Sequence, residues 1–370
     1  MQTVRFGVIG AGLMGREFAS AAARWCHLLD HPAQPEIVAV ADPNPTARGW
    51  FEKALPTLAY STSDFREILP HVDAIYAAVP HNLHEEVYTA VLGAGKHLLA
   101  EKPFGIDLAA AERIVAAIPE GVLVRCSSEF PFFPAAQRIA KMADAGAFGR
   151  VIEVRAEFNH SSDLDPTKPI NWKRQVAFCG EYGCMGDLGM HVCHLPFRAG
   201  WRPRDVRALL SKVVEERPDG KGGMAPCETW DNASLACTSE DGFPLFLETR
   251  RISPGDTNSW NIRVLGTDMS AEFSTRRPKT LRTMPFVKGE PQAWREEDLG
   301  QGSVYPVITG GIFEFGFSDA ILQMWAAFLG ELVGDTPTFP CAKPEEALLS
   351  HKLFTAALRS QANASVEKIG

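Results

Sequence analysis

The feature that most constrains the fold of this chain is a glycine pattern near its N-terminus. Gly10, Gly12 and Gly15 are spaced G-x-G-x-x-G, between an apolar run at 4–10 and an alanine-rich stretch. This order is typical of a strand, a tight turn and a helix that together bind a dinucleotide. Gly10 permits the turn, Gly12 lets the backbone approach a pyrophosphate, and Gly15 lets helix and strand pack. The predicted phosphate-binding residues are Gly10, Gly12, Leu13, Met14 and Gly15.

A carboxylate at the end of the second predicted strand completes the pattern for an adenosine ribose. The apolar run 37–42 ends in Asp42, and a carboxylate at this place accepts hydrogen bonds from the ribose hydroxyls. An expected loop at 27–36 accounts for the long gap between the glycine turn and this residue. Asp42 would repel a 2′-phosphate, although Arg48 lies one helical turn further on and could reach it. The sequence therefore favours NAD as the cofactor, with NADP less favoured.

The first 126 residues alternate short apolar runs with helical segments. Runs rich in apolar residues lie at 74–80, 96–102 and 122–127, and helical patterns begin at Asn82 and Asp107. Nearly continuous apolar strands separated by helices predict a parallel sheet covered on both faces. We therefore expect residues 1–126 to form a Rossmann dinucleotide-binding domain.

The pattern changes after residue 126. The stretch 150–158 alternates, with Ile152, Val154, Ala156 and Phe158 on one predicted face. Several short strands follow, and two helical stretches near 318–334 and 344–362 come last. We expect 127–370 to form a second α/β domain with a large open, mostly antiparallel sheet. Its uncovered face favours a homodimer or homotetramer.

Composition excludes several classes of partner. The net charge of −8 disfavours nucleic acid and anionic membranes, which bind basic surfaces. No apolar run approaches the roughly 18 residues of a membrane helix. Met1 leads directly into a strand without a basic, cleavable leader, so we expect no signal peptide. These features and the eight scattered cysteines predict a cytoplasmic protein with free thiols.

A second distinctive stretch places Asp187, His191 and His194 at helical spacing. It is compatible with a metal site, a buried polar cluster or the acid–base end of an active site. Cys179, Cys184 and Cys193 lie nearby, but a structural zinc site favours two close ligand pairs and no second pair follows. We therefore predict no metal.

Together with the glycine turn, three further motifs resemble the Gfo/Idh/MocA oxidoreductase family. They are AVPHNLH at 78–84, AEKPFG at 100–105 and GDLGMHVCH at 186–194, and the similarity extends through 149–151 and 264–273. The resemblance implies an N-terminal Rossmann domain followed by an α/β domain whose open sheet serves oligomerisation. The motifs occur in the same order as in the family and cover essentially the whole chain.

The resemblance also assigns roles to individual residues. It implies that Lys102 lies between nicotinamide and substrate, and that Asp187 and His191 are catalytic. The residues that it places along the cofactor are Val79, Pro80, His81, His84, Glu101 and Lys102. His81 stands where the family often has Asn, and His194 stands where it often has Asp.

These residues predict an NAD(P)-dependent oxidoreductase that transfers a hydride between nicotinamide and a hydroxyl or carbonyl of a sugar, cyclitol or glycoside. His191 would be the base, Lys102 would stabilise a developing alkoxide, and Asp187 would orient the imidazole or bind a hydroxyl. Two alternatives are a redox-neutral, NAD-dependent glycosidase of the same fold and a non-catalytic NAD-binding sensor. The presence of all three residues disfavours a sensor.

Substrate contacts are predicted from two segments that leave strand ends. The first follows the last Rossmann strand, and the second is a long polar and aromatic loop before the catalytic helix. The predicted substrate-binding residues are Glu129, Phe130, Asn159, His160, Trp172, Arg174 and His194. For His194, packing in the core is an equal alternative. As a group these residues suit a polyhydroxylated substrate.

Overall fold

The first sheet of the computed structural model, which describes Met1–Gly370, contains six parallel strands in the order β3-β2-β1-β4-β5-β6. Its elements are β1 (Gln2–Ile9), α1 (Leu13–Ala23), β2 (Ala33–Ala41), α2 (Pro45–Ala54), β3 (Tyr60–Thr62), β4 (Ala74–Ala77), α3 (His84–Gly93), β5 (His97–Ala100), α4 (Leu108–Ala116) and β6 (Val124–Cys126). The strand order reverses at β1, which lies between β2 and β4. A crevice at such a reversal, beyond the carboxyl ends of the strands, is where open parallel sheets bind ligands.

The second sheet contains nine strands, of which only β7 and β12 pair in parallel. The remaining elements are α5 (Pro134–Asp144), β7 (Val151–His160), α6 (Val176–Cys179), α7 (Cys184–Arg198), β8 (Pro203–Ser211), β9 (Glu216–Pro218), β10 (Met224–Pro226), β11 (Asn232–Ser239), β12 (Pro244–Arg250), β13 (Asn258–Gly266), β14 (Met269–Ser274), β15 (Thr280–Pro285), β16 (Arg295–Asp298), α8 (Phe317–Leu332), α9 (Pro344–Asn363) and β17 (Glu367–Lys368). The order is β16-β15-β14-β13-β7-β12-β11-β8-β17, and β9 and β10 form a separate hairpin. The predicted fold class, a Rossmann domain with a large, mostly antiparallel sheet, is confirmed.

One face of the large sheet is covered by α7, which contacts β7, β11 and β12. Val154, Ala156 and Phe158 of β7 are buried, as their alternation predicted. Ile152 is instead 49% exposed, so the prediction was wrong for this residue. The register between β7 and β13 shifts at this point, and Ile152 has no partner on β13.

The chain returns to the first sheet after completing the second. The ring of Trp325 on α8 lies 3.5 Å from the ring of Phe18 on α1 and 5.2 Å from Phe6 on β1. Helix α9 contacts α4 and also α7 and β8. The division at residues 126 and 127 stays a prediction, since helices from the C-terminal half complete the packing of the N-terminal sheet.

Local boundaries differ from the expectations at two places. Strand β2 begins at Ala33 and a short 3-10 turn occupies Trp25–His27, so the expected loop at 27–36 is shorter. The helix expected from Asn82 begins with a 3-10 turn at His81–Leu83 before α3. The bounds of α8 and α9 agree closely with the two helical stretches seen in the sequence.

Three structural facts concern membrane helices, metal sites and disulfide bonds. No helix combines the length and the apolar character needed to span a membrane. No group of three or more His, Cys, Asp or Glu side chains has the geometry of a metal site. All eight cysteines are unpaired, and Cys26 alone is exposed.

Candidate active site

The glycine turn is built so that side chains cannot replace two of its three glycines. Gly10 has a φ of +96°, and an added Cβ would lie 2.2 Å from the carbonyl oxygen of Ala78. A Cβ on Gly15 would lie 2.2 Å from the carbonyl oxygen of Gly10. A Cβ on Gly12 would meet nothing within 4 Å. The first and third glycines thus allow close packing, and the second borders open space.

That open space has the character of a pyrophosphate site. It lies at the N-terminus of α1, where Gly12 is the N-cap and no side chain caps the first turn. Leu13 is 74% exposed beside it, and Met14 packs against the core. Free backbone N–H groups and the positive end of the helix dipole attract phosphates. The glycine turn and the N-terminus of α1 therefore fit the pyrophosphate of a dinucleotide.

Asp42 lies one residue beyond β2 and borders the same turn. Its Oδ2 accepts a hydrogen bond of 2.8 Å from the N–H of Ala11, and its Oδ1 accepts one of 2.8 Å from Asn44. Each carboxylate oxygen keeps a further lone pair for a ribose hydroxyl. The Arg48 guanidinium donates to the carbonyl oxygen of Asp42 at 2.5 Å, so a cation does lie beside this position.

Because only Gly12 faces open space, Gly12→Ala is expected to weaken NAD binding without destabilising the fold. The dissociation constant should rise about tenfold or more, which is about 1.4 kcal/mol of binding free energy or more. NAD titration by tryptophan fluorescence and thermal unfolding measure the two quantities. Gly93→Ala on α3, also without neighbours within 4 Å, is the matched control. Equal NAD affinity in both variants would contradict the assignment.

The side chain of Glu101 connects the carboxyl ends of β4, β5 and β6, just before Lys102. Its side chain is buried, and Oε1 accepts hydrogen bonds of 2.6 Å from the hydroxyls of Tyr76 and Ser127. The backbone N–H of Lys102 donates to Oε2 at 3.2 Å. This arrangement fixes the chain direction after β5, so the Lys102 side chain is directed toward α7 rather than into solvent.

The motif at 78–84 lies beside Glu101 and its hydrogen-bond partners. The His84 ring is completely buried between the carbonyl oxygens of Val79 and Pro103, at 2.9 Å from Nε2 and 2.7 Å from Nδ1. His84 therefore joins the two loops predicted to border the cofactor instead of facing it. His81 follows the half-buried Pro80, and its Nδ1 lies 3.1 Å from the carbonyl oxygen of Cys179.

Asp187, on the first turn of α7, is the centre of a buried charge cluster. Lys102 Nζ donates to its carbonyl oxygen at 2.6 Å and to Oδ1 at 3.1 Å. Lys173 Nζ lies 2.9 and 3.0 Å from the two carboxylate oxygens, and Arg251 donates to Oδ2 at 2.8 Å. Burial would raise the pKa of the Asp187 carboxyl, but the three cations outweigh it and hold that pKa well below its ordinary value.

The charge of Lys102 is held by the same contacts. Burial would lower the pKa of Lys102, yet Asp187 and Glu101 raise it above the ordinary value. The side chain is 16% exposed, so an ammonium group is present at the cleft with little water around it. Such a cation stabilises negative charge that develops on a nearby oxygen.

His191 lies one turn after Asp187 on α7. The rings of Phe130 and Phe158 meet the imidazole edge-on, each with centroids 5.2 Å away. The Glu129 carboxyl lies 3.7 Å from His191 Nδ1. Burial, followed by the charge of Lys102, lowers the pKa of His191 well below its ordinary value. The imidazole is therefore neutral at pH 7.

Two predicted substrate residues border this cluster. His160 is the last residue of β7, on the same face as Phe158, and its ring lies 5.8 Å from the Phe158 ring. Burial, together with the charge of Arg251 and against the opposing effect of Asp187, lowers the pKa of His160 to about 4. Trp172 lies on a 3-10 turn, with its ring 4.9 Å from that of His81.

The structure does not bring three other predicted substrate residues into the cleft. Arg174 is fully buried, and its guanidinium donates to the carboxylates of Asp163 and Asp231. Asn159 accepts a hydrogen bond from Arg250 on the sheet face opposite to Phe158, because successive strand residues point to opposite faces. Their side chains are used in packing and pairing.

His194, the third such residue, is fully buried. Its ring lies 5.1 Å from Phe339 and 6.5 Å from Phe132. It lies three residues after His191, and the helical rotation turns it toward the C-terminal segment. Of the two interpretations made from sequence, this environment fits the packing residue.

Lys173 and Arg251 were missed by the sequence reasoning. Lys173 stands between Trp172 and Arg174, both of which were selected, and no periodicity showed which of the three side chains faces Asp187. Arg251 directly follows β12, where one of two consecutive arginines must point toward α7. A demand for charge balance could have suggested a second cation, because a buried carboxylate seldom stands alone.

A glycine turn that fits a dinucleotide, and a buried Lys–Asp–His cluster where the residue after β5 meets α7, define an NAD-dependent oxidoreductase. Comparison with known proteins agrees. Residues 4–126 match the model described as oxidoreductase family, NAD-binding Rossmann fold, and residues 136–272 match the GFO/IDH/MocA C-terminal domain. The chain belongs to the Gfo/Idh/MocA oxidoreductase family, and the expected resemblance is confirmed.

Individual relatives support the same placement. The chain is 27% identical over 305 residues to levoglucosan dehydrogenase of Pseudarthrobacter phenanthrenivorans, covering 76% of each chain. It is 36% identical over 270 residues to dTDP-3,4-didehydro-2,6-dideoxy-alpha-D-glucose 3-reductase of Actinomadura kijaniata, covering 66% of this chain and 78% of the relative. Glucose-6-phosphate 3-dehydrogenase of Bacillus subtilis is 26% identical, over 58% of this chain and 60% of its own length.

A solved structure of levoglucosan dehydrogenase in complex with NADH and levoglucosan superposes with a TM-score of 0.91. The match covers 100% of both chains at 23% sequence identity. At this identity the likeness shows that the two proteins share one fold throughout their length.

Proposed function

We propose that this protein is an NAD-dependent dehydrogenase that oxidises a CH–OH group of a sugar, cyclitol or glycoside. The observation that carries the proposal is the cluster of Lys102, Asp187 and His191, placed at the carboxyl end of β5 and on the facing helix α7. A secondary alcohol needs a base and a stabilising cation at one point, and this cluster supplies both.

Each residue of the Lys102, Asp187 and His191 cluster has a separate role in the reaction. Neutral His191 accepts the hydroxyl proton, and the Lys102 ammonium stabilises the oxygen as it becomes an alkoxide. Asp187 keeps Lys102 in place through the 3.1 Å ion pair. Bound nicotinamide supplies the remaining chemistry by accepting a hydride from the carbon. In the reverse direction, the His191 nitrogen that accepted the proton returns it to the carbonyl oxygen of the substrate.

The relatives support a carbohydrate-like substrate, because three of them are named for sugars or sugar derivatives. The cleft supports it as well. His160 and Trp172 offer a hydrogen-bonding group and a ring face, which suit a molecule with several hydroxyls. NAD is favoured over NADP because Asp42 borders the turn with a carboxylate, although Arg48 lies beside it.

The assembly and location follow from other features. We propose a homodimer or homotetramer, supported by the open face of the nine-stranded sheet, which no helix covers in the monomer. We propose the cytoplasm, supported by eight cysteines that are all unpaired.

The deciding experiment is absorbance at 340 nm with NAD and, separately, NADP, over a panel of sugars, inositols and glycosides. We expect a rise with NAD for at least one sugar and a weaker response with NADP. No rise over the full panel, from protein shown to bind NAD, would overturn the proposal. Release of an aglycone without NADH formation would then identify the redox-neutral glycosidase. If neither NADH nor an aglycone forms, the non-catalytic sensor is the alternative that remains.

A further inference from the structure

One contact of His191 has no part in the chemistry described above. Glu129 lies three residues beyond the end of β6, and its side chain is 6% exposed. Its Oε2 lies 3.7 Å from His191 Nδ1, and that nitrogen is shielded from solvent without any hydrogen-bond partner. A buried nitrogen without a partner is costly. The Glu129 carboxyl, 3.7 Å away, can satisfy it.

The two nitrogens of His191 are not equivalent. Nδ1 faces Glu129, whereas Nε2 makes no hydrogen bond within the protein but retains accessible surface. Phe130 and Phe158 meet the imidazole at 89° and 83° and hold its plane from two sides. The ring therefore presents Nε2 to the cleft, and a small closure would bring Nδ1 within hydrogen-bond distance of Glu129.

We propose that Glu129 is a positioning residue that sets the tautomer of His191. As a carboxylate, Glu129 accepts a hydrogen bond from Nδ1–H, which leaves the Nε2 lone pair free for a substrate hydroxyl. As a neutral carboxyl, it donates to Nδ1, and the proton of the ring then lies on Nε2. When Glu129 is ionised, His191 can accept a proton at Nε2. When Glu129 is neutral, His191 can donate the proton that Nε2 carries. This inference rests on the proposed dehydrogenase function.

The proton balance is complete without a further reactant. During oxidation the substrate O–H bond breaks and an N–H bond forms on His191 Nε2, so the ring becomes an imidazolium. The Glu129 carboxylate then faces a positive ring and stabilises it. During reduction the Nε2 proton moves to the new alkoxide oxygen. When Glu129 starts as the neutral carboxyl, its proton moves to Nδ1 at the same time, so the ring ends as the Nδ1–H tautomer and Glu129 ends as the carboxylate.

The surroundings set the pH at which Glu129 changes form. The charged and titratable groups facing it come from β4, from the segment after β5 and from α7, and they are Tyr76, Glu101, Lys102 and His191. Those facing His191 are Lys102, Lys173, Asp187 and His194. Burial, followed by the charge of Glu101, raises the pKa of Glu129 to about 7. Oxidation should therefore rise as pH increases through about 7, and reduction should fall.

The test is the pH profile of kcat/KM for oxidation in the full-length protein and in Glu129→Gln. Glutamine keeps the volume and an acceptor oxygen but does not titrate. We expect the limb near pH 7 to disappear and kcat to fall about tenfold or more, within the roughly 10²–10⁴-fold that a positioned base supplies. KM should change much less, and Glu129→Asp should restore the limb.

The control is Glu157→Gln, since Glu157 lies on the same segment of β7 as Phe158 but on the opposite face of the sheet. It should keep the wild-type profile. An unchanged limb near pH 7 in Glu129→Gln would overturn the proposal. A fall in thermal stability without a change in the profile would also overturn it, because a structural role alone produces that result.

A second measurement does not depend on finding a substrate. In protein labelled with ¹⁵N-histidine, the His191 nitrogens are assigned by their loss in His191→Asn. Wild-type protein should show the Nε2–H tautomer below about pH 7 and the Nδ1–H tautomer above it, and Glu129→Gln should show no switch. A tautomer independent of Glu129 defeats this inference, whereas a sugar panel without NADH formation defeats the proposed function.

Discussion

Replacing His191 by alanine is expected to reduce kcat for sugar oxidation by about 10²–10⁴-fold, because it removes the base from an otherwise intact cleft. Lys102→Ala should cause a loss of similar size, since the cation that stabilises the alkoxide is removed. Asp187 still keeps Lys173 and Arg251 as partners in that variant, so the fold should survive. Steady-state absorbance at 340 nm measures kcat, and circular dichroism monitors folding.

NAD binding separates a catalytic loss from a general one. Both variants should bind NAD within a few-fold of wild type, because the glycine turn and Asp42 lie at the other end of the cofactor crevice. Lys96→Ala is a matched control, since Lys96 precedes β5 at one end as Lys102 follows it at the other. It should keep full activity. Turnover near normal in both His191→Ala and Lys102→Ala would contradict the assignment of the cluster.

The fold could be predicted because its strongest signals are local. The turn at Gly10 and the helix after it depend on residues within six positions of one another, and β7 showed its buried face through Val154, Ala156 and Phe158. The placement of α8 was beyond such reasoning. Trp325 packs on Phe6 and Phe18 from more than 300 residues away, and no local pattern records which sheet a late helix will cover.

The site was predictable where residues share a helix and unpredictable where they meet through space. Helical spacing placed Asp187 and His191 on one side of α7. Lys173 and Arg251 reach the same carboxylate from two loops, and only the folded chain shows this. Composition of a loop is a weaker guide, since a polar loop residue can equally anchor the loop. Arg174 illustrates this.

The largest stability effect is expected from Arg174→Met. The guanidinium bonds both Asp163 and Asp231 in the interior, and its loss would leave buried Asp231 without a cation and Asp163 with only Lys168 as an ion-pair partner. Breaking a buried ion pair from one side costs about 3–5 kcal/mol. Chemical denaturation should show a loss of this size, and Arg138→Met on the exposed face of α5 should show almost none.

Two outcomes separate the role predicted from sequence from the role seen in the structure. A substrate ligand would raise KM and leave the free energy of unfolding unchanged, whereas a buried anchor does the reverse until the loop fails. The triple variant with Asp163→Asn and Asp231→Asn added to Arg174→Met should recover part of the lost stability, because replacing a whole buried ion network costs less than removing one partner. No recovery would mean that Arg174 stabilises the loop through packing rather than through charge.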